Sequence, residues 1–326
     1  MNIDDKTILI TGGTGSFGTY MTQRLLETDV KKIIIFSRDE DKQRIMKSSF
    51  NSEKLKFLIG DVRDYEKIDD SLRNVDIILH AGALKQIPSV EFYPMEAIKT
   101  NAISSYNLLK ASAKNNVSLL IGISTDKAVK PVNSYGISKA MMEKILIGDD
   151  IDSDVIHGCV RYGNVLGSRG SVLPVWDQQI KEKKPISITS DNMRRFFITL
   201  HEATDLIFHS INKMKTGEII VRHAPSCFIE DLALAYAELI TGDKNYPLNV
   251  IGIRAGEKID ELLISQEESK KTWVYSENYY HIRRYDHIST HDPSYRYIDM
   301  DYSSATTKIL SRNQVKSLLQ NTTWQK

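Results

Sequence analysis

The opening of the chain constrains its fold more than anything that follows. An apolar run at residues 7–10 leads into Thr11-Gly12-Gly13-Thr14-Gly15-Ser16-Phe17-Gly18, and a helical pattern continues from 16 to about 27. Glycines 12, 15 and 18 form Gly-x-x-Gly-x-x-Gly at a strand–helix junction. Glycine permits the sharp turn and lets a pyrophosphate approach the backbone amides at a helix N-terminus. A chain that begins this way points the carboxyl end of its first strand at a phosphate.

The pattern then repeats. Residues 32–36, 55–59, 75–80 and 118–123 read as strands, with a charged helix from about 40 and a long helix over 95–114 between them. Such alternation predicts an α/β fold, a Rossmann-type doubly wound parallel sheet with helices on both faces. Ligands of these sheets bind at the carboxyl ends of the strands, and the polar motifs of this chain sit at those ends. After Arg161 the pattern loosens. Residues 163–170 form a turn-rich loop, 172–182 a helix, and 218–221 a strand that returns to the sheet. The last hundred residues are polar with few long periodic segments. The expected division is a dinucleotide-binding domain over 1–165, with a return at about 195–225, and a smaller, mostly C-terminal α/β substrate lobe from 166–194 and 226–326.

Composition removes several function classes. At 326 residues the chain is long enough for about two domains of roughly 150 residues. Its 43 basic and 42 acidic side chains are spread evenly, so no basic stripe points to nucleic acid. No apolar run approaches the roughly 20 residues of a membrane helix. The polar N-terminus does not read as a signal peptide. Cys159 and Cys227 lie far apart in apolar surroundings, as free buried thiols of a reducing compartment do, so the expected location is the cytoplasm. His281, His287 and His291 fit no tight zinc spacing, so no metal site is expected.

The chemistry is concentrated in Ser124-Thr125-Asp126-Lys127 and Tyr135-Gly-Ile-Ser-Lys139. A phenol and a lysine four residues apart share one face of a helix. The lysine charge favours the phenolate, which makes Tyr135 a general base nearer neutral pH. That pair suits a dehydrogenase-type step. Asp126 and Lys127 add an acid and an amine that hydride transfer alone does not need. The segment Phe36-Ser37-Arg38-Asp39-Glu40 bears on the cofactor, because an acid at the tip of the second strand would hold a ribose 2′-hydroxyl. Ser37 stands there instead and Arg38 can face a 2′-phosphate, so NADP is favoured, while Asp39 and Glu40 leave NAD open. Asp61, at the end of the third strand, is placed to accept from an adenine amino group or to cap the helix that follows.

Together these residues resemble the extended short-chain dehydrogenase/reductase superfamily, and within it the UDP-N-acetylglucosamine 4,6-dehydratases of bacterial surface-sugar synthesis. The resemblance rests on 11–18, Ser37–Glu40, Gly60-Asp61-Val62-Arg63, His80-Ala-Gly-Ala-Leu-Lys-Gln-Ile-Pro88, 124–128 with Tyr135 and Lys139, 161–170, and Arg254-Ala-Gly-Glu-Lys258. Thr-Asp-Lys is the discriminating element, since epimerases of the superfamily generally lack the adjacent acid–lysine pair. The chain departs from the family pattern at Gly82, Gln86 and Ala255, where Ala, His and Pro are common. Tyr135, which is Met in one subgroup, places it nearer the flagellin-sugar type that inverts carbon 5.

The resemblance implies cofactor contacts at Gly12, Thr14, Gly15, Ser16, Phe17, Gly18, Ser37, Arg38, Asp61, Val62, Ala81, Gly82, Ala83, Asn101, Tyr135 and Lys139. It implies catalytic roles for Thr125, Asp126, Lys127, Tyr135 and Lys139. Tyr135 takes the carbon 4 hydroxyl proton and Thr125 bonds the carbon 4 oxygen. Lys127, its pKa lowered by neighbouring cations, takes the carbon 5 proton. Asp126 protonates the departing carbon 6 hydroxyl. Lys139 holds the ribose and tunes Tyr135. On the nucleotide-sugar side, Asn164 and Arg169 suit a diphosphate, Arg254 offers a fork to phosphate and Glu257 a carboxylate to a ribose, Arg195 adds charge, and Lys85 reaches the sugar pocket. The implied substrate is UDP-N-acetylglucosamine, and the implied assembly a homo-oligomer, from dimer to hexamer. A nucleotide-sugar 4-epimerase is the closest rival, and a catalytically silent dinucleotide-binding regulator a more distant one.

Overall fold

The computed structural model describes residues 2–148, 151, 153–284, 298 and 300–322. Its centre is a nine-stranded sheet. The first strands in the chain are β1 (Thr7–Thr11), β2 (Lys32–Ser37), β3 (Leu55–Ile59), β4 (Ile77–His80), β5 (Leu119–Thr125) and β6 (Ile156–Tyr162). They lie side by side as β3-β2-β1-β4-β5-β6, all parallel, and strand Glu218–Arg222 continues the row parallel to β6. β1, β4 and β5 are buried along their whole length, which is why their sequences are continuous apolar runs rather than alternating ones. The doubly wound parallel sheet read from the sequence is therefore present. Two antiparallel strands, Tyr279–Ile282 and then Thr272–Ser276, complete it beyond Glu218–Arg222.

Helix Ser16–Leu26 follows the glycine loop and buries Met21 and Leu25. Helix Ser134–Ile147 begins at Asn133, whose side chain accepts from the Gly136 N–H at 2.8 Å. The expected single helix over 95–114 is broken into a short turn Pro94–Ala97, a wide π-helical segment Ile98–Ile103 and helix Ser104–Lys114. Within the wide turn Asn101 is fully buried, and its side chain bonds the Leu84 N–H at 2.8 Å, the Leu84 carbonyl at 2.9 Å and the Ser138 hydroxyl at 2.9 Å. The loop after β4 is thereby fastened to the helix that carries Tyr135.

Two apolar cores result. The larger wraps the sheet, and it includes Leu263, Ile264, Ile282 and Tyr302, from the stretch expected to serve the smaller lobe. The smaller is built on Trp176, Tyr236, Phe197, Leu173 and Leu319. Helix Ile229–Thr241, in the region read as weakly patterned, carries seven buried residues, six of them consecutive. It is apolar nearly all round, so it shows no amphipathic stripe for a periodicity argument to find. Helix Leu200–Lys213 opens with a capping box between Thr199 and Glu202. Cys159 and Cys227 are free and buried, as expected. Among the described residues no helix is long and apolar enough to cross a membrane.

Candidate active site

A cleft of about 770 Å³ runs along the carboxyl ends of the strands. Gly12, Thr14, Gly15, Ser16, Phe17 and Gly18 line it together with Ser37, Arg38, Val62, Ala81, Gly82 and Ala83. The loop is shaped for a close approach. Gly12 has φ +63°, and a Cβ there would lie 2.8 Å from the Gly82 Cα. Gly15 stands at the N-terminus of helix Ser16–Leu26, where no side chain caps the first amides. These uncapped donors and the side-chain-free cradle fit a dinucleotide pyrophosphate. Behind the loop, Thr11 Oγ1 lies 2.7 Å from His80 Nδ1 and accepts from the Gly82 N–H at 3.1 Å. Burial, with Lys139 nearby, drives the His80 pKa down to about 3, so the imidazole is neutral.

At the far end of this half, Ser37 is buried, and both its carbonyl and hydroxyl accept from Gln43 Nε2. Arg38 extends into solvent and pairs with Asp61 at 3.5 Å. Asp39 caps the helix Glu40–Phe50 by accepting from the Lys42 backbone N–H, and the Lys42 side chain also bonds it, so its pKa is lowered. Asp61 is held by a neighbour. Arg63 grips both carboxylate oxygens, and that hydrogen bonding holds its pKa down. It lies outside the cleft lining, and the next helix is capped by Asp64 instead. Asn101 also lies outside the lining, because its side chain is occupied with Leu84 and Ser138.

The catalytic candidates converge where β5 ends. Thr125, Lys127, Tyr135 and Lys139 line the cleft, and Asp126 lies directly behind them, fully buried. Thr125 Oγ1 donates to Asp126 Oδ1 at 2.9 Å, and Lys127 Nζ donates to the same oxygen at 2.9 Å and to Asn164 Oδ1 at 3.2 Å. Asp126 Oδ2 is buried with no hydrogen-bond partner. Two electrostatic expectations change. Burial presses against the Lys127 charge, but the Asp126 and Glu261 carboxylates outweigh it and Arg195 together, so the Lys127 pKa is raised rather than lowered. Lys139 does not tune Tyr135 in this arrangement. Its Nζ turns inward to the Ile123 carbonyl at 2.7 Å and to Met142 Sδ at 3.2 Å, and burial lowers its pKa to about 8. Burial lifts Tyr135 to about 12, and the cation that pulls it back is Lys127, assisted by Thr125.

The cations assigned to the nucleotide sugar divide. Lys85, Asn164, Arg195, Arg254 and Glu257 all face the cleft. Burial within the cleft wall and the Lys127 charge lower the Lys85 pKa, although its side chain still meets solvent. Arg254 is exposed, 3.7 Å from Glu257, whose Oε2 is buried and unpartnered. Arg195 is different. Its guanidinium donates to the carbonyls of Arg194, Ile259 and Lys258, so it works as a brace for the 258–261 segment. Arg169 also lines the cleft. Its N–H donates to Ser16 Oγ at 2.9 Å and its Nη1 to the Thr14 carbonyl at 3.2 Å, which puts it on the glycine loop.

Some groups escaped the sequence reading. Glu261 is buried, 3.7 Å from Lys127 Nζ. Arg161, fully buried, pairs with Glu143 at 2.6 Å and Glu268 at 2.9 Å, and Ser124 Oγ donates to Glu143. The only local signal for Glu261 is its place three residues after Lys258, with which it forms an ion pair at 3.6 Å. His281 is buried against Glu218 and His209, and His287 and His291 lie outside the described residues. No group of metal-binding side chains occurs among the described residues.

A family model described as "Polysaccharide biosynthesis protein" matches residues 8–283. A protein of Rickettsia prowazekii (strain Madrid E) named UDP-glucose 4-epimerase is 44% identical over 329 residues, covering 97% of this chain and 95% of its own. The X-ray structure of Pen from Bacillus thuringiensis superposes with a TM-score of 0.90 at 30% identity, covering 98% of this chain and 100% of that one. DesIV, a dTDP-glucose 4,6-dehydratase from Streptomyces venezuelae with NAD bound, shares the fold at a TM-score of 0.70 and 18% identity, covering 78% and 86% of the two chains.

Proposed function

The chain belongs to this family of polysaccharide biosynthesis proteins, within the nucleotide-sugar dehydratases and epimerases of the extended short-chain dehydrogenase/reductase fold, and we propose that its reaction is the NADP-dependent 4,6-dehydration of UDP-N-acetylglucosamine with inversion at carbon 5. One observation carries the reading: a fully buried Asp126 with an unpartnered carboxylate oxygen, bonded at 2.9 Å to Lys127, which lines the same cleft as Tyr135. A 4-epimerase needs the phenol but has no use for a paired acid and amine. The name of the Rickettsia relative favours the epimerase as the second reading.

In the proposed reaction the dinucleotide supplies a hydride acceptor for carbon 4 and a hydride donor for carbon 6. Tyr135 takes the carbon 4 hydroxyl proton, and Thr125 hydrogen-bonds the carbon 4 oxygen. The carbon 5 hydrogen then lies next to a ketone and is acidic enough to remove. The raised pKa of Lys127 shapes this step. The ammonium is the resting form, and the reaction draws on the minor form in which the proton sits on Asp126 across the 2.9 Å bond, leaving the amine as a base and the carboxyl as an acid. Lys127 takes the carbon 5 proton while Asp126 gives its own to the leaving hydroxyl, water departs, and as carbon 6 takes its hydride carbon 5 regains a proton on the opposite face. Arg38 and Lys42 near the second strand's tip support a 2′-phosphate on the dinucleotide. The dinucleotide is assigned to the lobe of residues 1–165, and the sugar nucleotide to the smaller lobe. Exposed Met95, Ile98, Ile103, Ile137 and Met141 support assembly into a homo-oligomer.

The test is proton NMR of UDP-N-acetylglucosamine incubated with the protein and catalytic NADP in deuterated buffer. A 6-deoxy methyl signal, a hydrated 4-keto sugar and deuterium at carbon 5 are expected, with ring couplings of the inverted product. Conversion to the galacto isomer without a methyl signal would establish the epimerase instead.

A further inference from the structure

Glu261 has no role in the reaction as proposed, yet the fold takes care to bury it. Its residue is 3% exposed, Oε2 accepts no hydrogen bond, and Oε1 stands 3.7 Å from Lys127 Nζ. Its backbone is pinned on both sides. The Glu261 N–H donates to Ser304 Oγ at 3.0 Å, and the Ser304 N–H donates to the Glu261 carbonyl at 2.9 Å. Arg195 braces the two preceding carbonyls but one, at Lys258 and Ile259. Burying a carboxylate that is incompletely hydrogen-bonded is unfavourable, and a buried ion pair is weak evidence for stability, so the position points to something other than stability.

That something is Lys127. Its Nζ lies between two carboxylates, Asp126 at 2.9 Å and Glu261 at 3.7 Å, with Asn164 as a third contact. We propose that Glu261 is a positioning residue of the active site, a second anionic partner that holds the Lys127 amine toward the cleft and sets how firmly it keeps its proton. The charged groups that face Glu261 are Asp126 and Lys127 from the turn after β5, Arg195 from strand Arg194–Ile198, and Lys258 from its own segment. Burial and the Asp126 charge raise the Glu261 pKa, and Glu261 in turn is one of the two groups that raise that of Lys127. The function of this coupling rests on the dehydratase reading; the coupling itself does not.

The experiment compares the full-length protein with Glu261→Gln and Glu261→Asp. Lys127 is titrated directly by competitive acetylation across pH, read by mass spectrometry of its peptide, and the rate of water loss is followed over the same range. Dinucleotide binding serves as the check of folding. In Glu261→Gln the Lys127 titration is expected to move to lower pH by about one unit, the falling, alkaline limb of the water-loss profile to move with it, and kcat to fall about tenfold while KM stays within about threefold. Glu261→Asp should restore most of the titration. An unmoved Lys127 titration in a Glu261→Gln protein that still binds dinucleotide would overturn the proposal. A moved titration in a protein whose wild type releases no 6-deoxy product would leave the coupling standing and defeat the dehydratase reading instead.

Discussion

Arg169 Nη1 donates to the Thr14 carbonyl at 3.2 Å, so a residue from the loop after β6 rests on the glycine loop that follows β1. The two lie 155 positions apart in the chain, yet they form one wall of the cleft. That contact makes Arg169 a candidate for the dinucleotide side of the cleft. Arg169→Ala is expected to weaken dinucleotide binding about tenfold, the order of one charge-assisted hydrogen bond, and to leave UDP binding nearly unchanged. Fluorescence titration with each ligand checks this, and the opposite pattern would return Arg169 to the substrate.

Gly12 tolerates no side chain. Its φ of +63° strains any L residue, and a Cβ would press into the Gly82 backbone at 2.8 Å. Gly12→Ala should destabilise the protein by about 1–3 kcal/mol, as overpacking does, and abolish measurable dinucleotide binding. Urea unfolding and the same titration report the two effects separately.

Tyr135 at about 12 holds its proton through neutrality, so its phenolate fraction grows about tenfold per pH unit. The rate of carbon 4 oxidation, read as dinucleotide absorbance in a single turnover, should rise with pH from 6.5 to 9 without a plateau. Tyr135→Phe should keep dinucleotide binding and lose about 10²–10⁴-fold in that rate. A flat pH profile would mean that another group takes the proton.

His80 gives the fold an acid weakness. Its pKa is about 3 when folded, against 6.5 for the free imidazole, so the unfolded chain binds the proton and the folded one does not. The stability this represents is complete above pH 6.5 and is lost progressively as pH falls toward 3. Wild type should therefore lose more stability between pH 7 and 5 than His80→Asn, measured by urea midpoints. Equal losses would show that His80 is not the group responsible.

How much of this was legible follows the distance between partners. The glycine loop is contiguous, and its positions follow from steric rules at single residues. Asp126 and Lys127 are neighbours in sequence, so their pairing was readable, but the sign of the Lys127 shift was not. That sign depends on Asp126 and Glu261 together, and Glu261 arrives from a segment more than a hundred residues away. Arg195 looked like a free cation because sequence does not reveal that the 258–259 carbonyls will meet its guanidinium. Asn101 was read as a ligand contact, and the wide turn Ile98–Ile103 makes it a fastener. Local pattern does not announce a π turn, since the same residues would suit an ordinary helix.

The two edges of the nine-stranded sheet have a consequence for life at high protein concentration. An open edge is a template onto which another chain's strand can add. Here one edge is β3, five residues long with an exposed Lys56 as its second residue, and a lysine there resists being stacked against a neighbour. The other edge is Thr272–Ser276, whose register slips between Val274 and Ser276, and such a bulge bends the ladder away from a flat partner. Charge guards one flank and an irregular backbone the other, so lateral strand addition is discouraged at both ends of the sheet.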